Sequence, residues 1–440
     1  MLFEILSSAI VGGLVGASYL HQKGVGTNDT QSIVRIAANA GLVARDGTQI
    51  RIHRRTRNPD YTEYVFQLPQ GLSAKQFRDN LDRFQDGLNA KRRVLAVSLA
   101  EFKTIDWRSD PLAQLRNKRT ERKEVEIDFD GMLKFRVYNE AMTEFLAFDE
   151  SMLARCNGWE IPVGQTRHGF VKHDTELGHM VVAGATRYGK SVFLKNVITS
   201  LIARKPNDVK LTLIDLKGGL TFARYQRAKQ VEIVAKDVAE CLTTLRHLDA
   251  KMTAKQTSFL TQGYEDIREA NDPCRHFIII DEAAQLASAG VTDSEEKKMR
   301  IECEKLLARI AQVGAGLGYR LIFCTQYPTA DTLPRQIKQN ADTRICFRLQ
   351  TSVASRVVLD EEGAESLPKV RGRAIYLTSD GKQIVQTPFI ENDYIEKVLA
   401  PNITIKARKE DDGNERNQSD SRKGTAPRKH TLIVEEARIS

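Results

Sequence analysis

Cysteine pairs are missing from this chain. Its six cysteines stand alone at positions 156, 241, 274, 303, 324 and 346, and no two form a Cys-x-x-Cys motif. That spacing provides no disulfide framework and no zinc site, and it points to a reducing compartment. Cys324 and Cys346 lie in apolar, strand-like runs and read as small buried hydrophobes. A strong charge of one sign is missing too. The net charge of +9 over 440 residues is mild, though it favours an acidic partner such as nucleic acid or an anionic membrane surface. The composition, 41% hydrophobic and 28% charged, is that of a globular protein with room for two or three domains. One long apolar run is present, residues 1–20, with Glu4 as its single charge. It is close to the roughly 20 residues needed to span a bilayer. It lacks the basic segment that opens a signal peptide. Basic residues begin at Lys23, so the positive-inside bias puts the body of the chain in the cytoplasm and makes residues 1–22 a single-pass membrane anchor. A buried or peripheral helix is the rival reading. Gly12 and Gly16 form a Gly-x-x-x-Gly pair suited to close helix contact.

Residues 23–148 read as a small membrane-proximal α/β domain with nothing catalytic in it. Thr48 to His53, Tyr61 to Leu68, Val94 to Leu99 and Val125 to Phe129 are strand-like. Ser73 and Gln76 form a capping box, and Phe77, Leu81, Phe84 and Leu88 follow at helical spacing. The basic run from Arg116 to Lys123 reads as a solvated loop rather than a DNA contact. From 149 to 400 apolar strands alternate with amphipathic helices. Strand candidates are 209–216, 231–234, 276–281, 320–325 and 344–347, with helices over 237–260 and 295–315. The alternation implies a parallel sheet covered on both faces, with ligand at the carboxyl ends of its strands. Residues 401–440 are polar and read as a disordered tail, with Thr431 to Val434 as a short docking segment.

The chemistry begins at Gly184-Ala185-Thr186-Arg187-Tyr188-Gly189-Lys190-Ser191. This stretch follows the apolar run Met180 to Ala183 and opens a helical pattern. Strand, glycine loop and helix form the setting of a phosphate-binding P-loop. Backbone N–H groups and the helix dipole face the phosphates, Lys190 reaches the terminal ones, and Ser191 offers its hydroxyl to Mg²⁺. ATP and Mg²⁺ are therefore the expected cofactors. Phe277 to Ile280 make a buried strand that ends in Asp281 and Glu282. Asp281 suits the Mg²⁺ shell, and Glu282 suits activation of an attacking water. Gln326, at the end of a later strand, suits sensing of the γ-phosphate.

These residues, with Leu213-Ile-Asp-Leu-Lys-Gly-Gly219, Arg309 to Gln312, Gly314 to Gly318, Thr343-Arg-Ile345 and Ser355 to Asp360 with Gly363 to Glu365, resemble the FtsK/SpoIIIE family of DNA translocases over about 160–380. The resemblance implies a RecA-like P-loop motor and a homo-hexamer around DNA, with each ATP completed by an arginine from the neighbouring subunit. Arg344 and Arg356 lie at family-typical positions for that role. Two departures stand out: the family's P-loop usually carries Gly-Ser where Arg187-Tyr188 stands here, and Tyr327 replaces a common arginine. Lys217, Gly218 and Gly219 line either the nucleotide or the DNA channel. One anchor, a small domain and no further folded domain resemble the TcpA-like coupling proteins that deliver relaxase-bound DNA to a conjugative, type IV secretion channel. A double-stranded DNA translocase or segregation motor is the alternative. A membrane scaffold that binds ATP only to control assembly is the reading from another class, and Glu282 argues against it.

Overall fold

The computed structural model of the chain describes residues 29–89, 123–138 and 141–403. The expected anchor, the expected strand at 94–99, most of the basic run and the tail beyond 403 lie outside these residues. Among the described residues no helix is long and apolar enough to cross a membrane.

Helix α1 (Asp29–Asn39) leads into a four-stranded antiparallel sheet of β1 (Arg51–Arg57), β2 (Tyr61–Gln67), β3 (Glu124–Phe129) and β4 (Leu133–Tyr138), in the order β1-β2-β4-β3. Helices α2 (Ala74–Asp79) and α3 (Leu81–Asn89) bury Phe77, Phe84 and Leu88 against Phe135 and Leu133 of β4. The Ser73 capping box forms as expected. The helical pattern from Phe77 to Leu88 is broken into two helices at Asn80, whose N–H bonds back to Phe77 and Arg78. The first strand starts later than its β-branched residues suggested, because a tight turn ties Gly47 to Ala44 and Ala44 to Thr48. Lys123, expected in a solvated loop, is instead buried and ion-paired with Asp29.

The described residues from 149 onward build one ten-stranded sheet. Helix α4 (Glu150–Ala154) precedes the hairpin β5 (Glu160–Thr166) and β6 (Gly169–Asp174). Then come β7 (Met180–Ala183), α5 (Lys190–Arg204), β8 (Val209–Ile214), β9 (Val231–Ala235), α6 (Val238–Gln262), β10 (Arg275–Ile280) and α7 (Ser294–Val313). The chain continues through β11 (Tyr319–Thr325), α8 (Arg335–Gln339), β12 (Thr343–Phe347), α9 (Ser352–Leu359), β13 (Arg373–Thr378), β14 (Gly381–Gln386) and α10 (Asn392–Leu399). The strand order is β6-β5-β14-β13-β12-β7-β11-β10-β8-β9. From β12 to β9 every pairing is parallel; from β12 outward through β13, β14, β5 and β6 every pairing is antiparallel.

The parallel strands are apolar because both faces are covered. Alternate side chains of β7 and β10 enter two separate cores. Val181, Ile278 and Ile280 meet α6 and α7 through Leu245 and Leu307. Val182, Phe277 and Ile279 meet α5 and α10 through Phe193, Val197 and Ile395. Residues 401–403, expected to open the polar tail, are tied to the fold: the buried Asn402 accepts from the Lys229 N–H through its carbonyl, and Ile403 bridges to Ala228.

Candidate nucleotide site

Four neighbouring parallel strands end at one place. β7 runs into the P-loop, β8 into the Asp215–Thr221 loop, β10 into Asp281 and Glu282, and β11 into Gln326. This crevice beyond the carboxyl ends of parallel strands is where open α/β sheets hold ligands. α5 starts at Lys190, with Gly189 as its N-cap at φ 118°, a left-handed conformation that glycine adopts without strain. The loop is braced on both sides. The Gly184 N–H donates to the Thr325 carbonyl, the Ala185 N–H to the Arg348 carbonyl, and the Gly372 N–H to the Tyr188 carbonyl. A Cβ on Gly184 would stand 2.6 Å from the Phe347 Cβ, so the loop's close approach to β12 requires glycine.

Lys190 is buried and its ammonium donates to the Asp281 carbonyl at 3.0 Å. The same nitrogen lies 3.8 Å from Asp281 Oδ1 and 3.6 Å from Glu282 Oε2. Burial opposes its charge, but Cys324 and the two carboxylates more than offset that, and its pKa lies above the ordinary lysine value. Asp281 and Glu282 are both buried. Glu282 is held at both oxygens: Oε1 accepts from the Gln326 N–H at 3.1 Å and the Thr325 hydroxyl at 3.5 Å, and Oε2 accepts from Lys217 Nζ at 3.2 Å. Gln326 Oε1 accepts from the Thr186 hydroxyl at 2.9 Å, so the β11 end and the P-loop are joined. Ser191 is the second residue of α5.

Lys217, which the sequence left between the nucleotide and the DNA channel, places its ammonium on Glu282. Arg187 adopts φ 73°, a left-handed conformation, while the partly buried Tyr188 packs against the core beside α5. Asp215, in the segment already singled out in the sequence, accepts the N–H groups of Lys217 and Thr221. Thr221 itself went unnoticed, and its hydroxyl donates to Asp281 Oδ2 at 3.0 Å. The regular spacing of Asp-x-Lys-Gly-Gly-x-Thr behind a strand was the available signal. The two arginines are not brought to the P-loop of their own chain. Arg344 is in register with Val181, three residues before the loop, and it pairs with Asp360 at 2.6 Å. Arg356 is exposed and pairs with Glu362.

The donor set fits Mg²⁺ and a nucleotide. Asp281 Oδ1 is buried without a hydrogen-bond partner, which leaves an anionic lone pair facing the P-loop lysine. Among the described residues no cluster of three or more His, Cys, Asp or Glu could cage a metal. A cation here would depend on Asp281, Ser191, water and substrate phosphate, the usual manner of Mg²⁺.

Comparison with known proteins agrees with this geometry. Residues 130–277 match the model of the FtsK/SpoIIIE family. DNA translocase FtsK of Helicobacter pylori strain J99 is 30% identical over 254 residues, covering 55% of this chain and 28% of that protein. DNA translocase SpoIIIE of Bacillus subtilis is 29% identical over 52% of this chain and 30% of its own length. The chain thus spans less than a third of the length of these curated relatives. The solved structure of the pCW3 conjugation coupling protein TcpA, a monomer form with ATPgS, shares the fold at a TM-score of 0.58 and 20% identity, covering 84% of this chain and 98% of that one. The site, the sheet that builds it and the matched segment 130–277 together give this chain a P-loop nucleotide fold that resembles the FtsK/SpoIIIE family.

Proposed function

We propose that the chain is a membrane-anchored, ATP-driven DNA translocase that works as a homo-hexamer and delivers DNA to a conjugative transfer channel. The convergence of Lys190, Asp281, Glu282 and Gln326 from separate strand ends carries the hydrolytic part. In this reading Lys190 and the P-loop hold the terminal phosphates of ATP, and Gln326 registers the γ-phosphate through its link to Thr186. Glu282 orients a water whose oxygen attacks the γ-phosphorus as the bond to the ADP oxygen breaks; the water's proton passes to the carboxylate and ADP and phosphate leave. Mg²⁺, held by Ser191 and Asp281, would offset charge building on the phosphate oxygens. Arg344 or Arg356 of a neighbouring copy would complete the site, as suits a guanidinium facing a transferred phosphoryl group.

The coupling-protein assignment is supported by the layout shared with TcpA, whose likeness extends over the N-terminal domain as well as the motor. The curated relatives, named as DNA translocases, favour a second reading as a double-stranded DNA translocase. Hydrolysis stimulated by single-stranded against duplex DNA separates the two. A relaxase and type IV secretion channel proteins are the partners expected under the first. The decisive experiment is Glu282→Gln. It should bind ATP and lose DNA-stimulated hydrolysis by about 10²–10⁴-fold; a variant that still hydrolyses ATP and supports transfer sinks the motor reading and revives the scaffold.

A further inference from the structure

The N-terminal sheet ends in a strand unlike any other among the described residues. β1 reads Arg51-Ile52-His53-Arg54-Arg55-Thr56-Arg57, and all seven residues are exposed. Among the described residues it pairs only with β2, which leaves its outer edge without a strand partner there. A register shift between Ile52 and Arg54 makes His53 a bulge. The bulge decides where the charges point. It puts Arg54, opposite Val65, on the same face as Arg51, opposite Gln67, while Arg55 and Arg57 oppose Tyr64 and Thr62 on the other face. Cationic groups therefore flank the open edge on both sides.

A charge or two on an edge strand is the ordinary guard against edge-to-edge aggregation. Four arginines in seven residues exceed that need. Arg54 lies 3.7 Å from Glu63, but Glu63 is shared with Arg136 at 3.5 Å. Arg55 lies over the Tyr64 ring at 5.5 Å, an arrangement that orders the guanidinium without neutralising it. Extended backbone rises about 3.3 Å per residue, so the strand presents a rigid cationic row roughly 20 Å long. Guanidinium groups bind phosphate oxygens in pairs, and a row of them on a fixed strand suits a repeating polyanion better than an isolated carboxylate.

We infer that β1 is a second nucleic-acid contact, separate from the motor, which binds the phosphate backbone of DNA without reading its sequence. It holds DNA whether or not nucleotide is bound, because none of its residues belongs to the nucleotide site.

The test uses the full chain in detergent without nucleotide, and follows anisotropy of a labelled random-sequence duplex and its single strand across a salt titration. The variant is Arg51→Gln with Arg54→Gln and Arg55→Gln. The control removes three exposed, ion-paired cations elsewhere, Arg246→Gln, Lys298→Gln and Lys397→Gln, so that both lose the same net charge. The β1 variant should bind DNA at least about tenfold more weakly at ~0.1 M salt, and for duplex its log–log salt slope should flatten by about 2–3. The control should stay near wild type. Equal binding by the β1 variant and wild type overturns the inference. So does a loss confined to phosphatidylserine vesicles with DNA binding intact, which would assign the strand to the membrane surface. DNA-stimulated hydrolysis measured on the same preparations keeps the two readings apart: failure at β1 with hydrolysis intact leaves the motor standing, and the reverse leaves β1 standing.

Discussion

Removing Lys217 should slow ATP turnover without preventing ATP binding. Its ammonium is 3.2 Å from Glu282 Oε2, and its side chain is 39% exposed. An undiscounted charge pair at that distance, in a medium of effective dielectric about 20, would be worth about 5 kcal/mol. Solvent reaches this lysine, so screening brings the value nearer 1–2 kcal/mol. The loss is also cushioned, because the Gln326 N–H and the Thr325 hydroxyl still grip the other oxygen. Lys217→Met should therefore lower DNA-stimulated kcat by about tenfold, since 1.4 kcal/mol is a factor of ten, and leave KM for ATP within about threefold. Lys217→Arg should recover most of the rate. The assay is steady-state phosphate release under saturating DNA, with the thermal midpoint measured in parallel. An unchanged kcat in the methionine variant would show that Glu282 is oriented without Lys217 and refute the reasoning. A fall in KM-dependent binding with kcat intact would place the lysine on the phosphates instead.

Gly184→Ala should destabilise the motor by about 1–3 kcal/mol, because the new methyl meets Phe347; chemical denaturation measures it, and an unshifted midpoint would mean that β12 yields. His173 and His179 are buried, and burial pulls both down to about 4 from an ordinary value of 6.5. The unfolded chain takes up these protons first, so stability is full above about pH 6.5 and falls as pH drops towards 4, by up to about 2 kcal/mol per histidine at pH 5. Urea midpoints at pH 7 and pH 5 check this, and equal midpoints count against it. Mixing Lys190→Ala subunits into wild type should depress hydrolysis more than proportionally if sites are shared between copies; a strictly proportional loss speaks against a ring. Deleting residues 1–22 should yield an ATPase that stays in the supernatant on ultracentrifugation, and a truncated form that still pellets with membranes defeats the anchor.

The nucleotide site was legible where its chemistry is local. Gly184 to Ser191 and Asp281-Glu282 each combine a buried apolar strand with polar residues at its end, and strand order then brings the ends together. Lys217 was ambiguous because the direction of a long side chain on a half-exposed loop is fixed by its distant partner, Glu282. The parallel strands announced themselves as unbroken apolar runs, whereas the antiparallel extension did not. β5 contains Pro162 and Gly164, residues that read as strand breakers and are tolerated here at a register shift. The hairpin of β13 and β14 turns at Ser379-Asp380, with Thr378 paired to Gly381, and the polar face of β14 obscured it. β1 was seen as a strand, but its charge stood out only once all seven residues proved exposed.

The bracing of the P-loop has a mechanical consequence. Tyr188 hangs from Gly372, just ahead of β13, and Ala185 from Arg348, just past β12. The loop is thus pinned to the two strands where the sheet changes from parallel to antiparallel. A displacement of the loop must either break those two backbone bonds or drag the seam with it. Arg344 rides on β12, and β14 on the far side of β13 pairs with β5. The seam where the sheet changes direction and the anchor of the phosphate loop are therefore one piece of backbone, so strain applied at either end reaches the other without any side chain having to relay it.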